Sequence, residues 1–146
     1  MTTDDSDRLH ELFMHLVRVA GLLQPDRELP DLPVSLSQAY AIHELDHGEG
    51  LSQRDLAARL RLEKSTVSRM IADLVRKGLV ARDRDPANRR VYRLRLTDEG
   101  RTFHSRVSRG YGDKYRVWTA AMTPQERAAL LLGLPALIRV VSESPG

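Results

Sequence analysis

The chain contains no cysteine, which excludes disulfide staples, cysteine-ligated zinc and a thiol sensor of peroxide, and which fits a reducing compartment. It also lacks a long apolar run. The longest, residues 128–138, is interrupted by Gly133 and Pro135 and falls short of the roughly 20 residues that a spanning helix needs. The first residues, Met1 to Asp7, are acidic and polar, without the basic and then apolar regions of a secretory signal. Together these absences predict a soluble cytoplasmic protein with no membrane contact. At 146 residues and 41% hydrophobic content the chain has material for a real core, and its length predicts about one domain, 1–146.

What the sequence does have is positive charge concentrated in one stretch. Residues 59–77 and 82–95 together hold twelve Lys/Arg against four acids, a net +8 in a chain whose total is +3, so the remainder is −5. Such local excess is the electrostatic footprint of a phosphate-binding surface. Within it, Val67, Met70, Ile71 and Leu74 recur at i, i+3, i+4 and i+7, one apolar stripe of a helix over about 62–77. The opposite face carries Ser65, Arg69, Ala72 and Arg76, flanked by Thr66 and Ser68. A face that is small and polar at its N-terminal end, with one long cation in the middle, suits a helix whose first turns enter a major groove. Gly78 ends it. Residues 79–84 and 91–96 read as two strands, the second alternating Tyr92, Leu94 and Leu96 against Val91, Arg93 and Arg95, and the turn 85–90 carries Arg89 and Arg90 to the tip.

Upstream, Leu9, Leu12, Phe13, Leu16, Ala20 and Leu23 predict an amphipathic first helix over about 7–24. A loop rich in Pro and Asp follows at 24–33. Ser35 or Ser37 can cap a second helix reaching His47, and Ser52 with Asp55 makes a capping-box pattern that opens a short third helix burying Leu56, Ala57 and Leu60. Two short helices joined by a tight turn at 61–63 make a helix-turn-helix, and the hairpin after it makes it winged. Thr97 caps a long helix to about Ala120, with Phe103, Val107, Tyr111 and Trp118 along one side and a bend expected near Gly110 and Gly112. Thr123-Pro124-Gln125-Glu126 opens a last helix in which Leu130, Leu134, Leu137, Ile138 and Val141 form a stripe and Pro135 is expected to kink it. The fold class is therefore mainly α (α+β): a winged helix-turn-helix head at 35–96 with N- and C-terminal dimerisation helices at 7–24 and 97–141. The terminal stripes exceed what a head needs for its own core, so a second copy is expected to cover them across a two-fold axis. Two recognition helices roughly 34 to 36 Å apart then select inverted half-sites.

The blocks Ser52-Gln53-Arg54-Asp55-Leu56-Ala57, Leu62-Glu63-Lys64-Ser65-Thr66-Val67-Ser68-Arg69, Lys77-Gly78-Leu79-Val80, Arg84-Asp85-Pro86-Ala87-Asn88-Arg89-Arg90 and Leu96-Thr97-Asp98-Glu99-Gly100 stand in an order and spacing that resembles the MarR family of transcription regulators. The resemblance covers nearly the whole chain. It implies a homodimer on a pseudo-palindromic double-stranded DNA operator, commonly repressing and released by a small-molecule effector, with no enzymatic activity and no cofactor. One departure is visible: members often carry Asp two residues before a minor-groove arginine, and this chain has Asn88 before Arg90.

Arg69 is the first candidate for base contact, because a guanidinium can take O6 and N7 of guanine with two hydrogen bonds. Ser65, Thr66 and Ser68 permit close approach. Gln53, Arg54 and Lys64, near two helix N-termini, are read as phosphate clamps, and Arg89 and Arg90 as minor-groove probes. Arg82, Arg84, Arg93 and Arg95 are left between DNA-facing and solvated strand positions. His43-Glu44-Leu45-Asp46-His47 matches the H-E-x-x-H signature of zinc hydrolases, but no third protein ligand is evident and the stretch lies just ahead of the helix-turn-helix. His43 and His47 continue the stripe Leu36, Ala39, Tyr40, so that face is expected to pack inward. A zinc-responsive regulator using His43, His47 and His104 is the lesser alternative to an organic effector bound in an apolar pocket between head and dimer helices.

Overall fold

Val67, Ile71 and Leu74 are fully buried and Met70 nearly so, and the helix that carries them organises the head. The computed structural model describes residues 3–23, 32–46 and 49–145; most of the loop read at 24–33, and His47, lie outside them. The elements run α1 (Thr3–Val19), α2 (Leu36–Leu45), β1 (Leu51–Ser52), α3 (Gln53–Leu60), α4 (Lys64–Arg76), β2 (Val80–Arg84), β3 (Tyr92–Leu96), α5 (Asp98–Ala121) and α6 (Pro124–Glu143). Residues up to 104 form one unit and residues 105–146 a second.

In the first unit, α4 meets α3 and β2, and α2 lies against α3 and β3. Val34, Ala41, Ile42 and Leu45 from the α2 region, Leu56 and Ala57 from α3, the α4 stripe, Leu79, Val80, Leu94, Leu96 and Phe103 make the core. The three strands are antiparallel in the order β1-β3-β2. β1 has only two residues, pairing Leu51 with Leu94 and Ser52 with Arg93, too short to show a period in the sequence. Along β3, Leu94 and Leu96 point inward as the alternation predicts, whereas Tyr92 is exposed near the wing tip.

Capping follows side-chain length. Ser35 and Gln38 complete a capping box at α2, with Gln38 N donating to Ser35 Oγ and Ser35 N donating to Gln38 Oε1. At α3 only the serine half forms, Asp55 N donating to Ser52 Oγ at 3.0 Å; aspartate is one methylene shorter than the glutamate or glutamine of a full box. The inward face of α2 also differs from the expected one. Gln38, Ala41, Ile42 and Leu45 are buried, while Tyr40 is 57% exposed and His43 is exposed. The stripe through Leu36, Ala39, Tyr40 and His43 does not turn inward because the parallel row starting at Gln38 is the one that faces α3 and α4.

Gln38 also ties α2 to α4. Its Nε2 donates to Asp73 Oδ2 at 2.6 Å, Lys77 Nζ lies 2.9 Å from the same oxygen and donates to the Pro33 carbonyl, and Arg76 pairs with Asp73 Oδ1 at 2.8 Å. Lys77, then Gln38, then Arg76 hold the Asp73 carboxyl at about 2, below its ordinary 3.8, against a smaller opposing effect of burial. At the other end of the hairpin, the Thr97 hydroxyl donates to the Gly78 carbonyl and accepts from Gly100 N. The start of α5 there comes so close to β2 that a Cβ on Gly100 would sit 2.1 Å from the Leu79 carbonyl oxygen.

In the second unit, α5 and α6 join through a turn at Met122, where Arg127 Nη1 donates to the Thr119 and Met122 carbonyls. Thr123 and Glu126 form the full capping box read from the sequence, with Pro124 as the first helical residue. α5 is helical through Gly110 and Gly112, and α6 through Pro135. Neither α6 nor α5 beyond Phe103 buries a residue.

Two consequences are measurable. Gly100→Ala should lower stability by about 1–3 kcal/mol, since its neighbour is backbone and cannot step aside, and a denaturant melt that leaves the midpoint unchanged contradicts this close approach. The depressed Asp73 pKa means its stabilising effect is complete above the unfolded value of 3.8 and is lost as pH falls through about 2. The Tm gap between wild type and Asp73→Asn should therefore be open at pH 6 and close progressively on acidification, and a gap that stays constant with pH contradicts it.

Candidate nucleic-acid interface

Burying the Val67 stripe turns the other side of α4 to solvent. Lys64, Ser65, Ser68, Arg69 and Ala72 are exposed and Thr66 is half-buried. The helix begins after Glu63, whose side chain makes no capping bond, so no side chain of the cap occupies the first-turn amides beside Lys64, Ser65 and Thr66. Its approach is set by Arg61, which closes α3 in the left-handed region at φ 53° while its N–H reaches the Ala57 and Ala58 carbonyls. This position is usually glycine; here it places a further exposed cation in the turn, one the sequence pattern did not single out. Gln53, half-buried, and Arg54, exposed, are the first two residues of α3.

The pairing of charges sharpens the footprint that composition gave. Of the cations in 59–77, Arg59 meets Glu44 at 3.4 Å, and Arg76 and Lys77 share Asp73. Arg61, Lys64 and Arg69 have no ion-pair partner among the described residues. In the hairpin, Arg93 pairs with Asp85 and Arg95 with Asp83, while Arg82, Arg89 and Arg90 have no acidic partner among the described residues. Arg84 instead donates to the Arg89 carbonyl at 2.5 Å and lies over the Tyr92 ring at 4.8 Å from its centroid. Among the described residues, cations without acidic partners thus lie in the turn before α4 and on its N-terminal half, at Arg82 in the middle of β2 and at the wing tip, while Arg76, Lys77, Arg93 and Arg95 are neutralised locally.

The wing turn is built on Asp85, which is buried. Its Oδ1 accepts from Ala87 N at 2.7 Å and Asn88 N at 3.3 Å, and its Oδ2 accepts from Arg93 Nε at 2.7 Å. Arg93, and then these two amides, hold the Asp85 carboxyl below the usual carboxylate range. Asn88 Oδ1 accepts from Arg90 N, so Asn88 shapes the backbone of the tip and leaves the Arg90 guanidinium free. Both Arg89 and Arg90 are exposed.

Among the described residues, which exclude His47, the histidines do not assemble as a hydrolase site needs. His43 Nδ1 lies 3.2 Å from His104 Nε2, and His104 Nδ1 lies 3.2 Å from Asp46 Oδ2. Both nitrogens of His104 are thereby directed at protein groups in a chain, where a metal needs donors that converge. Glu44 is engaged by Arg59, and among the described residues no three His, Asp or Glu side chains are grouped as a metal ion requires.

Comparisons with known proteins agree with this architecture. A family model described as the MarR family matches residues 32–91. A Thauera aromatica protein named for transcriptional regulation of an hcr operon is 32% identical over 96 residues, 66% of this chain and 58% of that protein, so the chain spans little more than half the length of that relative. The PcaV transcriptional regulator of Streptomyces coelicolor is 26% identical, with a TM-score of 0.73 over 92% of this chain and 98% of that one. Solved in complex with its natural ligand, the same regulator is 28% identical with a TM-score of 0.69 over 99% and 98% of the two chains. Streptococcus pneumoniae FabT, solved in complex with DNA, has a TM-score of 0.74 at 21% identity over 96% of both chains. The family model covers the helix-turn-helix and wing, and with a winged helix-turn-helix fold shared along nearly its full length this chain is similar to the MarR family.

Proposed function

We propose that the chain is a transcription regulator that binds double-stranded DNA through α4 and the wing, as a homodimer, and represses until a small-molecule effector releases it. The observation that carries the reading is the placement of unpaired cations. Arg61 in the turn before α4, Lys64 and Arg69 on α4, and Arg82, Arg89 and Arg90 in the hairpin lack acidic partners among the described residues, although neighbouring cations of the same stretches have them. A merely solvated charged face gives no reason for Lys64 and Arg69 at the start of α4 and Arg89 and Arg90 at the hairpin tip to be the ones left without acidic partners among the described residues.

On this reading Arg69 grips a guanine edge, and Ser65, Thr66 and Ser68 let the helix lie close in the major groove. Gln53, Arg54 and Lys64 hold phosphates, and Arg89 and Arg90 enter the flanking minor groove. The second copy is supported by apolar side chains left in solvent: Leu9, Leu12, Phe13 and Leu16 on α1, and Leu130, Leu134, Ile138 and Val141 on α6. Monomers rarely leave an apolar helix face of that extent uncovered, and here each of the two helices has one. The head is assigned to 35–96 and the dimer helices to 7–24 and 97–141. An effector acts by binding one spacing of the two heads more tightly than another, which shifts the population towards it; the structure of PcaV with its natural ligand supports effector binding.

Titrating the purified protein with duplex DNA from upstream of its own gene, beside a scrambled duplex and at several salt concentrations, tests the reading. Preferential binding with log K falling linearly in log salt is expected. Arg69→Ala should cost about 1–3 kcal/mol and reduce the preference between duplexes, whereas Lys64→Ala should weaken both duplexes alike and lower the salt slope by about one, as removal of a single phosphate clamp does. Absence of binding to any duplex at low salt contradicts it.

A further inference from the structure

The wing contains a carboxylate with more bonds than a turn requires. A hairpin turn needs one acceptor to hold its backbone, and Asp85 Oδ1 alone supplies that to Ala87 N and Asn88 N. Oδ2 is given to Arg93 Nε at 2.7 Å. The other end of the same guanidinium reaches out of the hairpin: Arg93 Nη1 donates to the Gly50 carbonyl at 3.3 Å. Gly50 lies immediately before β1 and α3, in the left-handed region at φ +73°, with its Cβ position 3.2 Å from the Leu94 carbonyl oxygen. The backbone therefore approaches β3 closely enough for one arginine to span the gap.

We infer that Asp85, Arg93 and the Gly50 carbonyl form a brace that fixes the wing tip relative to the helix-turn-helix, which makes Arg93 a positioning residue that does not itself touch DNA. The inference rests on the DNA-reading role proposed above for what the brace is for, but the brace itself exists without DNA. A fork of guanidinium donors is what the geometry uses, since one donor serves a carboxylate and another a carbonyl. The wing tip has a second strap in Arg84, whose Nη1 holds the Arg89 carbonyl. Both straps act on the backbone around Arg89 and Arg90, whose guanidinium groups have no acidic partner among the described residues. An arginine that must enter a narrow groove is held at its main chain and kept free at its head, and less ordering remains to be done on binding.

The test uses the full chain and the variants Asp85→Asn, Arg93→Gln and Arg90→Ala, with Arg69→Ala as a control on the other element. Without DNA, amide hydrogen exchange at Ala87 and Asn88 is expected to be slow in the wild type and at least about tenfold faster in Asp85→Asn and Arg93→Gln, both still showing a cooperative melt. With DNA, each of these two should lose about as much affinity as Arg90→Ala, roughly tenfold. The double variant Asp85→Asn/Arg90→Ala should bind no more weakly than either single one, because the wing can be disengaged from the groove only once, while Asp85→Asn/Arg69→Ala should show both effects in full. A role in stability alone would give additive effects in both pairs. Equal exchange rates in wild type and variants, or full additivity with Arg90→Ala, overturns the brace. Slow wild-type exchange that the variants release, in a protein that binds no duplex, confirms the brace and overturns the DNA-reading role instead.

Discussion

Helix α4 has two faces, and only one can go inside. Turning it over would expose Val67, Ile71 and Leu74, which are fully buried, at a cost of roughly 5–9 kcal/mol by the usual value per side chain. It would also carry the Arg69 guanidinium, which has no ion-pair partner among the described residues, into the core. The outward direction of Arg69, Ser65 and Ser68 is therefore enforced from behind by packing. The rest of the head secures the same orientation: Asp73 fastens the C-terminal end of α4 to Gln38 of α2, and the Thr97 hydroxyl fastens the turn after it to the start of α5.

Charge in this protein is sorted by pairing more than by composition. Cations whose task is to hold the scaffold are neutralised at short range by Asp73, Asp83 or Asp85. Those at the helix start and wing tip are left without such partners. The difference matters energetically, because an exposed ion pair contributes little to stability, yet a pre-formed partner would have to be displaced before a phosphate could take its place. Arg69 and Arg90, without ion-pair partners among the described residues, need no such displacement.

Most of the head, and the start of α6 outside it, was legible from the sequence because the signals there are periodic or chemically specific. The Val67–Leu74 spacing, Gly78 at the end of α4, the alternation through Leu94 and Leu96, and the Thr123–Glu126 box each have one ready structural solution. Three features were not legible, for physical reasons. β1 is two residues long and has no period. The inward face of α2 was misassigned because two adjacent rows of the helix carry comparable apolar content, and the choice was made by Gln38 finding Asp73 thirty-five residues away. The sorting of the hairpin arginines depends on which strand partners face each other, so that Arg93, Arg95 and Arg84 are engaged while Arg82 is not, and identical residue types in a row carry no such information. The H-E-x-x-H match shows the converse: a local pattern that the surrounding fold directs elsewhere, with Glu44 on Arg59 and His43 on His104.

Under the proposed function, two copies of the α4 and wing surface read one duplex together. A hydroxyl-radical footprint of the protein on its preferred duplex tests it most directly. Two protected stretches related by a two-fold axis are expected, with centres about one helical turn, roughly 34 to 36 Å, apart, and with flanking minor-groove protection that disappears in Arg90→Ala. A single protected stretch, or a flank unchanged by that substitution, would contradict it.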